Sequence, residues 1–256
     1  MKDSSYLSKL IYSVSSVLFL MLLWQLLSFS MGNDQQILFP GLGKIFIEIG
    51  NIFKTGDILK VFVTLGRTLL LICISFIVCL LLGLLYVVFP QSYYFLKPIV
   101  NILKAAPFII ISVYIYYIFF GTKTDASVYI LGFFVVFPLM YEGFIQAIDN
   151  INCDIKDDLS LLQISTFKKF LKVYIPLIVP SIVLTLLQGF GLGIKIVVMG
   201  EYIFDIDKST GQAIKYSNIV EQAPLLAWLI IIVIAVCLID LIILLINKKR
   251  LANNNK

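Results

Sequence analysis

The ionisable side chains with the most regular spacing lie in one polar segment, residues 154–180, between two hydrophobic stretches. Aspartates open this segment and lysines follow towards its end: Asp154, Asp157, Asp158, Lys168, Lys169 and Lys172. Carboxylates stabilise the N-terminus of a helix and ammonium groups its C-terminus, because the peptide dipoles align along the axis. The order of charge therefore predicts short helices whose chemistry is charge pairing and surface contact.

Two helices are expected within this segment. Asp154, with Asp157 three residues later, forms an acidic variant of the capping box and is predicted to cap the first helix. A break is predicted at residues 164–166, where Ser165 or Thr166 would cap a second helix. That helix places four large side chains on one face: Phe167, Phe170, Leu171 and Tyr174. The pair could dock a partner, or it could lie as an amphipathic connector on a bilayer surface.

The remainder of the chain must position this segment, and its composition is that of a membrane protein. Of 256 residues, 60% are hydrophobic and 14% are charged, and the mean hydropathy is +1.00. A soluble domain carries about 25% charged residues. We therefore predict an all-α integral membrane protein with about six transmembrane helices. The predicted spans are residues 10–29, 68–89, 107–120, 127–148, 177–199 and 225–247, the third also drawing in residues 102–106.

Several classes of chemistry are excluded by composition. The chain has no histidine and no GxxxxGK[ST] loop, so it can supply neither a histidine-based triad nor a P-loop of its own. Its four cysteines show no CxxC spacing, and three lie in hydrophobic spans, where cysteine behaves as a small apolar residue. We predict a protein that is not an enzyme, with no metal and no cofactor of its own.

The distribution of lysine and arginine predicts the orientation. Six spans place both termini on one side, and the connections on that side hold more Lys and Arg than the opposite ones. The termini and the loop 154–172 are therefore expected in the cytoplasm, and the net charge of +5 needs no nucleic acid to explain it. The predicted divisions are a cytoplasmic N-terminus (1–9), a first uncleaved span (10–29), an outer loop (30–67), a core (68–248) and a cytoplasmic tail (249–256), of which residues 251–256 are expected to be disordered.

The outer loop is predicted to contain an interfacial helix. Apolar residues recur there at helical spacing between Lys44 and Lys54, namely Ile45, Phe46, Ile49, Ile52 and Phe53. Arg67, at the end of this loop, is as consistent with an interfacial anchor as with a functional residue.

The fifth span contains the candidates for a transport path. Gly189 and Gly193, four residues apart, allow close approach of another helix. Lys195 costs roughly 2.5–3.5 kcal/mol if it is placed in the middle of a membrane. It could face a path and favour an anionic substrate, snorkel to the interface, or pair with Glu201.

Two further acids lie in or near predicted spans. Glu142, one turn after Pro138 in the fourth span, either faces a water-filled path or reaches the interface. Asp240 in the sixth span is expected to have a structural role, held by hydrogen bonds or by a lysine.

The spacing of the polar segment resembles the EAA loop of ABC importer permeases. Counting back from Ile175-Pro176, the triplet falls on Asp157-Asp158-Leu159, the apolar position on Leu162 and the glycine position on Gln163. In this family the loop between the fourth and fifth helices is the coupling loop that docks an ATPase. The resemblance implies apolar ATPase contacts at Leu159, Leu162, Ile164 and Phe167, with Lys168, Lys169 and Pro176 in the same loop.

A second resemblance covers the chain before the core. Leu38-Phe39-Pro40, the amphipathic helix and Thr64-Leu65-Gly66-Arg67 succeed one another as in permeases of the sulfonate, nitrate and taurine importers. Near the other end, Glu201 and the sequence Gly211-Gln212-Ala213-Ile214 are similar to an acid and a turn of that family.

These resemblances imply the permease subunit of a binding-protein-dependent importer in the bacterial cytoplasmic membrane. The expected partners are a cytoplasmic ABC ATPase dimer, which binds the ATP and Mg²⁺, a second copy of the permease as a homodimer, and an extracytoplasmic substrate-binding protein. The expected substrate is a small anionic solute such as a sulfonate, taurine or nitrate, or a vitamin precursor. The alternative is a stand-alone secondary transporter or channel.

Overall fold

The computed structural model describes residues 2–30, 38–119, 123–217 and 222–254, and within these ranges it contains helices and no β-strand. The helices in chain order are α1 (Lys2–Ser30), α2 (Leu42–Thr55), α3 (Leu59–Val88), α4 (Ser92–Ala105), α5 (Phe108–Ile118), α6 (Asp125–Asp149), α7 (Cys153–Leu161), α8 (Thr166–Lys169), a π-helical turn (Phe170–Tyr174), α9 (Ile175–Phe204), α10 (Thr210–Tyr216) and α11 (Ala223–Asn254). The prediction of an all-helical protein is confirmed for the described residues.

Four described helices are long and apolar enough to cross a membrane: α3, α6, the run Thr166–Phe204 and the part of α11 from Ala223 to Ile243. A fifth span results if α4 and α5, which meet at 92°, are counted as one broken span. The apolar part of α1 whose side chains are described, Val14–Ser30, is shorter. The sixth span therefore stays a prediction.

Three helix boundaries differ from the sequence expectation. α3 begins at Leu59, nine residues before the predicted span, so the outer connection is shorter than residues 30–67. Residues 102–106 do not join α5, because α4 ends at Ala105 and Ala106 is extended with ψ 125°. The residue before a proline disfavours the helical region, and Pro107 therefore sets this break. α11 continues to Asn254, so the described part of the predicted tail is helical.

The contacts divide the chain into two compact units. The first comprises Met1–Leu59 and Tyr216–Ile234. Within it, the residues after α1 fold back on that helix: Trp24 Nε1 donates to Pro40 O at 3.0 Å and Ser28 Oγ to Phe39 O at 2.7 Å. α2 is amphipathic as predicted, with Ile45 and Ile52 buried and Phe46 and Phe53 exposed.

The second unit comprises Lys60–Lys215 and Ala235–Lys256, and α6 forms its centre. α6 is buried along most of its length because α3 and α9 approach it closely at small residues. An ideal Cβ at Gly83 of α3 would lie 2.4 Å from Phe144 Cε1, and one at Gly143 of α6 would lie 2.5 Å from Thr185 Oγ1. Such contacts between small residues let apolar helices pack in a bilayer, where no hydrophobic force drives them together.

Candidate functional site

The loop between α6 and α9 begins with α7, which is capped by Asn152. Its side-chain Oδ1 accepts a hydrogen bond from the backbone N of Asp154 at 3.1 Å. The prediction that Asp154 is the cap is therefore wrong, because the extended residue that precedes the first turn is Asn152, with ψ 137°. Asp154 instead lies in the first turn, where its negative charge still complements the helix dipole.

The second helix of the loop is not a separate connector. After the extended residue Leu162, Ser165 stands at the N-cap position of α8 without a side-chain hydrogen bond. From Thr166 the helix then runs without interruption to Phe204, over 39 residues. The predicted break at residues 164–166 is correct, whereas the predicted boundary between this helix and the fifth span does not exist.

A π-helical turn marks the place where the loop becomes the span. In this turn the Ile175 backbone N donates to Phe170 O, five residues earlier. Pro176 follows in the first turn of α9 and is exposed. Proline has no N–H, and its ring clashes with the carbonyl four residues before it, here that of Lys172. The wider π turn accommodates this clash while the helix stays continuous.

The exposed face of the loop carries a row of apolar side chains. Leu161 is 79% exposed and Phe167 is 56% exposed, and Leu162 and Ile164 are exposed as well. Leu159, which the resemblance placed among the ATPase contacts, is only 5% exposed and is therefore not available at this surface. Leu161, the most exposed member of the row, was not singled out from the sequence.

The charged and amide side chains of the loop have different environments. Lys169 Nζ donates to the carbonyl of Leu159 and so joins the end of α7 to α8. Lys168 is exposed and has no ion pair among the described residues. The polar residues at the motif positions are also exposed: Asp157 and Asp158 of the triplet, and Gln163 at the glycine position.

A second cluster surrounds Glu201 near the other end of α9. Glu201 is fully buried, and Thr64 Oγ1 donates to its Oε2 at 2.8 Å. Arg67 Nη1 lies 2.9 Å from Oε1, and the Gly211 backbone N donates to Oε2 at 3.1 Å. The backbone N of Thr210 donates to Thr64 Oγ1 at 3.1 Å. We call these five residues the Glu201 network.

The Glu201 network bears on two sequence interpretations. Arg67, whose side chain is 11% exposed, pairs with both Glu201 and Asp125 (2.9 Å), so its guanidinium is held within the protein by two carboxylates. Lys195 does not pair with Glu201, because the two residues are six positions apart and lie on different faces of α9. Lys195 is exposed and has no ion pair with any described residue.

Gly211 has no room for a side chain. An ideal Cβ at this position would lie 2.4 Å from the carbonyl oxygen of Val198 and 2.5 Å from the backbone N of Tyr202. The close approach brings the N–H of Gly211 to the Glu201 carboxylate, so α10 replaces the turn that the resemblance implied at residues 211–214.

The other residues proposed for the transport path, Gly189, Gly193 and Glu142, make contacts that do not involve Lys195. Gly189 and Gly193 are buried, and an ideal Cβ added to either would contact a neighbouring helix: the one at Gly189 would lie 3.2 Å from Met140 Cγ and the one at Gly193 3.4 Å from Thr68 Cγ2. Close helix packing is thus confirmed for both. Glu142 pairs with Lys104 at 2.6 Å, and both side chains are partly exposed.

For Asp240, the expected hydrogen bonds are not found, among the described residues, at one of its two carboxylate oxygens. Its Oδ1 is buried and has no hydrogen-bond partner in the described part of the chain.

A third charged cluster lies on the connections at the α9–α10 end. Lys123 Nζ is 2.8 Å from Asp205 Oδ2 and 3.3 Å from Asp207 Oδ1. The hydrogen bond from Gln212 Nε2, and then that from Lys123, lower the pKa of Asp207. The carboxylates of Asp205 and Asp207 raise the pKa of Lys123. Sequence reasoning missed this cluster because Lys123 lies 82 positions before Asp205 and 84 before Asp207 in the chain.

Among the described residues there is no group of three His, Cys, Asp or Glu that could hold a metal ion. A cavity of about 460 Å³ lies between α5 and α6, and its lining, which includes Ile110, Tyr114, Ile115 and Phe134, is almost wholly apolar. It offers no set of polar groups for a cofactor.

Comparison with known proteins supports one family. The family model for the binding-protein-dependent transport system inner membrane component matches residues 89–252, which is more than half of the chain. The matched residues include α4 to α9, with the loop that contains α7 and α8. A comparison with curated proteins gives no match.

Proposed function

Since the chain belongs to the family of binding-protein-dependent transport system inner membrane components, we propose that it is the permease subunit of an ABC importer. In this proposal it crosses the bacterial cytoplasmic membrane six times, with both termini and the α7–α8 loop (residues 153–169) in the cytoplasm. It pairs with a second copy, docks a cytoplasmic ATPase dimer that binds ATP and Mg²⁺, and receives a small solute from an extracytoplasmic binding protein.

The observation that carries the proposal is the exposed apolar row on the α7–α8 loop, directly continuous with a span. Leu161, Leu162, Ile164 and Phe167 expose apolar surface on a segment that is otherwise polar. Several exposed large apolar side chains within seven residues of the chain are typical of a protein contact or a membrane contact. Because α8 and α9 form one helix, a force applied at Phe167 reaches the span without crossing a flexible joint, whereas Leu161, Leu162 and Ile164 precede that helix.

The charges of α7 favour a protein partner over the bilayer surface for that helix, although α8 carries Lys168 and Lys169, which an anionic surface would attract. Asp154, Asp157 and Asp158 lie in α7, beside the apolar row. The inner leaflet of a bacterial membrane carries anionic lipids, which repel carboxylates and attract basic segments. An ATPase surface with complementary basic groups would instead pair with them.

Coupling requires that the ATPase bind this loop differently in its two nucleotide states, since a partner with equal affinity for both states shifts nothing. ATP binding would close the ATPase dimer and carry the two loops with it, opening the path outward. Hydrolysis would return the path to the inward-facing state. The solute is proposed to be a small anion of the sulfonate, taurine or nitrate kind, or a vitamin precursor, on the resemblance in residues 38–67.

The test is affinity capture of the full-length tagged chain, in mild detergent, with the co-purified ATPase identified by its Walker A sequence. Phe167→Ala and Leu161→Ala should each lower ATPase recovery by about tenfold, since central apolar contacts dominate interface energies. Phe62→Ala is the matched control, because Phe62 is also a phenylalanine exposed on a helix (65%), yet lies on α3. It should leave recovery unchanged.

Undiminished recovery with both loop variants would exclude the row as the docking surface. If no ATPase is recovered with the unmodified chain, under conditions that preserve a known ABC complex, the importer function is wrong and a stand-alone transporter or channel replaces it.

A further inference from the structure

One face of α9 is exposed along the whole helix and carries polar side chains at regular intervals. Its exposed residues include Ser181, Leu184, Gln188, Lys195, Met199 and Tyr202. Four of them are spaced by seven residues, and we call Ser181, Gln188, Lys195 and Tyr202 the polar line of α9. Seven residues are nearly two helical turns, so these side chains lie above one another over about 31 Å. That distance matches the thickness of a bilayer's hydrocarbon core, about 30 Å.

The exposed face of α3 provides a comparison from a helix of equal length. α3 and α9 each have 30 residues, and each belongs to a candidate span. Along α3 the large exposed side chains are apolar from end to end: Phe62, Val63, Leu69, Leu70, Ile74, Ile77, Leu81, Leu85 and Val88. This face fits lipid chains, whereas the polar line of α9 does not.

Gln188 is the most informative member of the polar line. It lies within two residues of the middle of α9, and its side chain has no hydrogen-bond partner among the described residues. The amide has two donors and an acceptor oxygen, which would be left without partners in hydrocarbon, and burying such a group without hydrogen bonds is unfavourable. Lys195 and Tyr202 could reach the membrane surface with their long side chains, but Gln188 is too short and too deep to do so.

We infer that the polar line of α9 is one wall of a water-filled path that conducts an acceptor-rich anion, such as a small oxyanion or organic acid. This inference rests on the proposed transport function and deepens it by assigning residues to the path. Polar groups within membrane spans face either the bundle interior or a water-filled cavity. The interior of this chain is on the opposite face of α9, where Gly189 and Gly193 pack, so the polar line faces outward into a path completed by another subunit.

The chemistry of the line sets the class of solute. All four side chains donate hydrogen bonds, Lys195 is cationic, and no carboxylate is exposed on this face of α9. Hydroxyl and amide groups can accept as well as donate, so the sign of the solute is set by Lys195, whose positive charge attracts an anion and repels a cation. Glu201, the one acid of α9, is buried on another face and held by Arg67.

Thiol reactivity in membranes measures directly which faces contact water. Gln188→Cys and Ser181→Cys would be introduced singly in the full-length chain, co-expressed with its partner subunits. Water-soluble thiosulfonate reagents of either charge are applied to membrane vesicles, and mass spectrometry quantifies each modified peptide. Cys73, which is exposed on α3, is a native internal control, and Ile77→Cys on the apolar face of α3 is an added one.

We expect the anionic reagent to modify both α9 thiols about tenfold faster, or more, than the α3 thiols. Adding Lys195→Gln should slow the anionic reagent at the Gln188→Cys thiol by roughly two- to tenfold and speed the cationic one, because the charge lies about 10 Å away. Rates at the α9 positions as low as those at Cys73 would overturn the inference and indicate that lipid or a dry helix interface covers the line. An unchanged ratio of the two reagents after Lys195→Gln would overturn the assignment to anions.

The outcome is separate from that of the importer proposal, because labelling requires neither ATP nor a bound ATPase. A reactive line in a chain that recovers no ATPase would keep the path and exclude the ABC importer. An unreactive line in a chain that does recover an ATPase would exclude the path and leave the importer function in place.

Discussion

The Glu201 network and the α7–α8 loop lie towards opposite ends of the same helical run. They differ in whether their polar groups are hydrogen-bonded and their apolar side chains buried. In the network, a buried carboxylate receives hydrogen bonds from three residues of α3 and α10. In the loop, four large apolar side chains are exposed, and the cap position of α8 makes no side-chain bond. The difference indicates that the network fixes helix positions, whereas the loop leaves surface for a partner.

The two largest effects are expected within the network and are of similar size, the first of them at Gly211, where the network is tightest. Gly211→Ala places a Cβ against the backbone of α9, and neither Val198 O nor Tyr202 N can move without unwinding that helix. We expect a loss of about 3 kcal/mol or more in stability, measured as the thermal unfolding midpoint of the purified chain in detergent.

Gly191→Ala is the matched control, because nothing lies within 4 Å of the Cβ it would add. It should be neutral or slightly stabilising, since alanine favours helix over glycine. Equal effects of the two substitutions would show that the network is not rigid at α10.

The next effect tests whether the Glu201–Arg67 pair acts as a unit. Arg67→Met leaves the buried Glu201 charge without its cation and should destabilise by about 3–5 kcal/mol. The double variant Arg67→Met/Glu201→Leu removes both charges and should recover much of that loss. Thermal unfolding of the four chains in the cycle gives the coupling between the two residues. Additive effects would indicate that Arg67 is held mainly by Asp125.

A smaller effect is expected at Lys169 in the loop. Lys169→Met removes the hydrogen bond to the Leu159 carbonyl, which is worth about 1 kcal/mol, and should loosen α7 relative to α8. Amide hydrogen exchange in residues 153–161 should become severalfold faster, with little change in the global unfolding midpoint. Lys168→Met, which removes the same charge without that bond, should leave exchange as it is; a matching increase would assign the effect to charge.

The smallest effect concerns the Lys123–Asp205–Asp207 cluster, in which Lys123 and Asp207 are exposed. The pKa of Asp207 is lowered on folding, so its contribution to stability is present above the ordinary pKa of an aspartate and is lost as the pH falls through the lowered value. Asp207→Asn should therefore lower the unfolding midpoint slightly at neutral pH and make no difference at strongly acidic pH. A difference that persists in acid would assign the effect to packing of the Gln212 hydrogen bond instead.

Runs of apolar residues predicted the four long helices, because a helix that crosses lipid must consist mostly of apolar residues. The start of α3 was missed since Lys60 and Arg67 interrupt the apolar run, although hydrogen bonding of the helix continues through them. Hydropathy indicates whether a side chain prefers lipid or water, but it does not indicate whether its backbone is helical.

The partner of Glu201 could not be found by proximity along the chain. Lys195 is six residues away and Arg67 is 134 positions away, yet only Arg67 is in contact. The helical period already argues against Lys195, because six residues amount to about 240° of rotation around the axis. Similarly, Leu159 and Leu161 are two residues apart, about 200° around a helix, so only one of them can face outward. The sequence alone does not show which one does.

The unbroken helix from Thr166 to Phe204 has a mechanical consequence. Thirty-nine residues at the helical rise make a rod about 58 Å long. A tilt of about 5° applied at the α8 end displaces the far end by about 5 Å, which is close to one helical turn. Small angular adjustments on one side of the membrane are in this way converted into displacements, on the other side, of the size of a side chain.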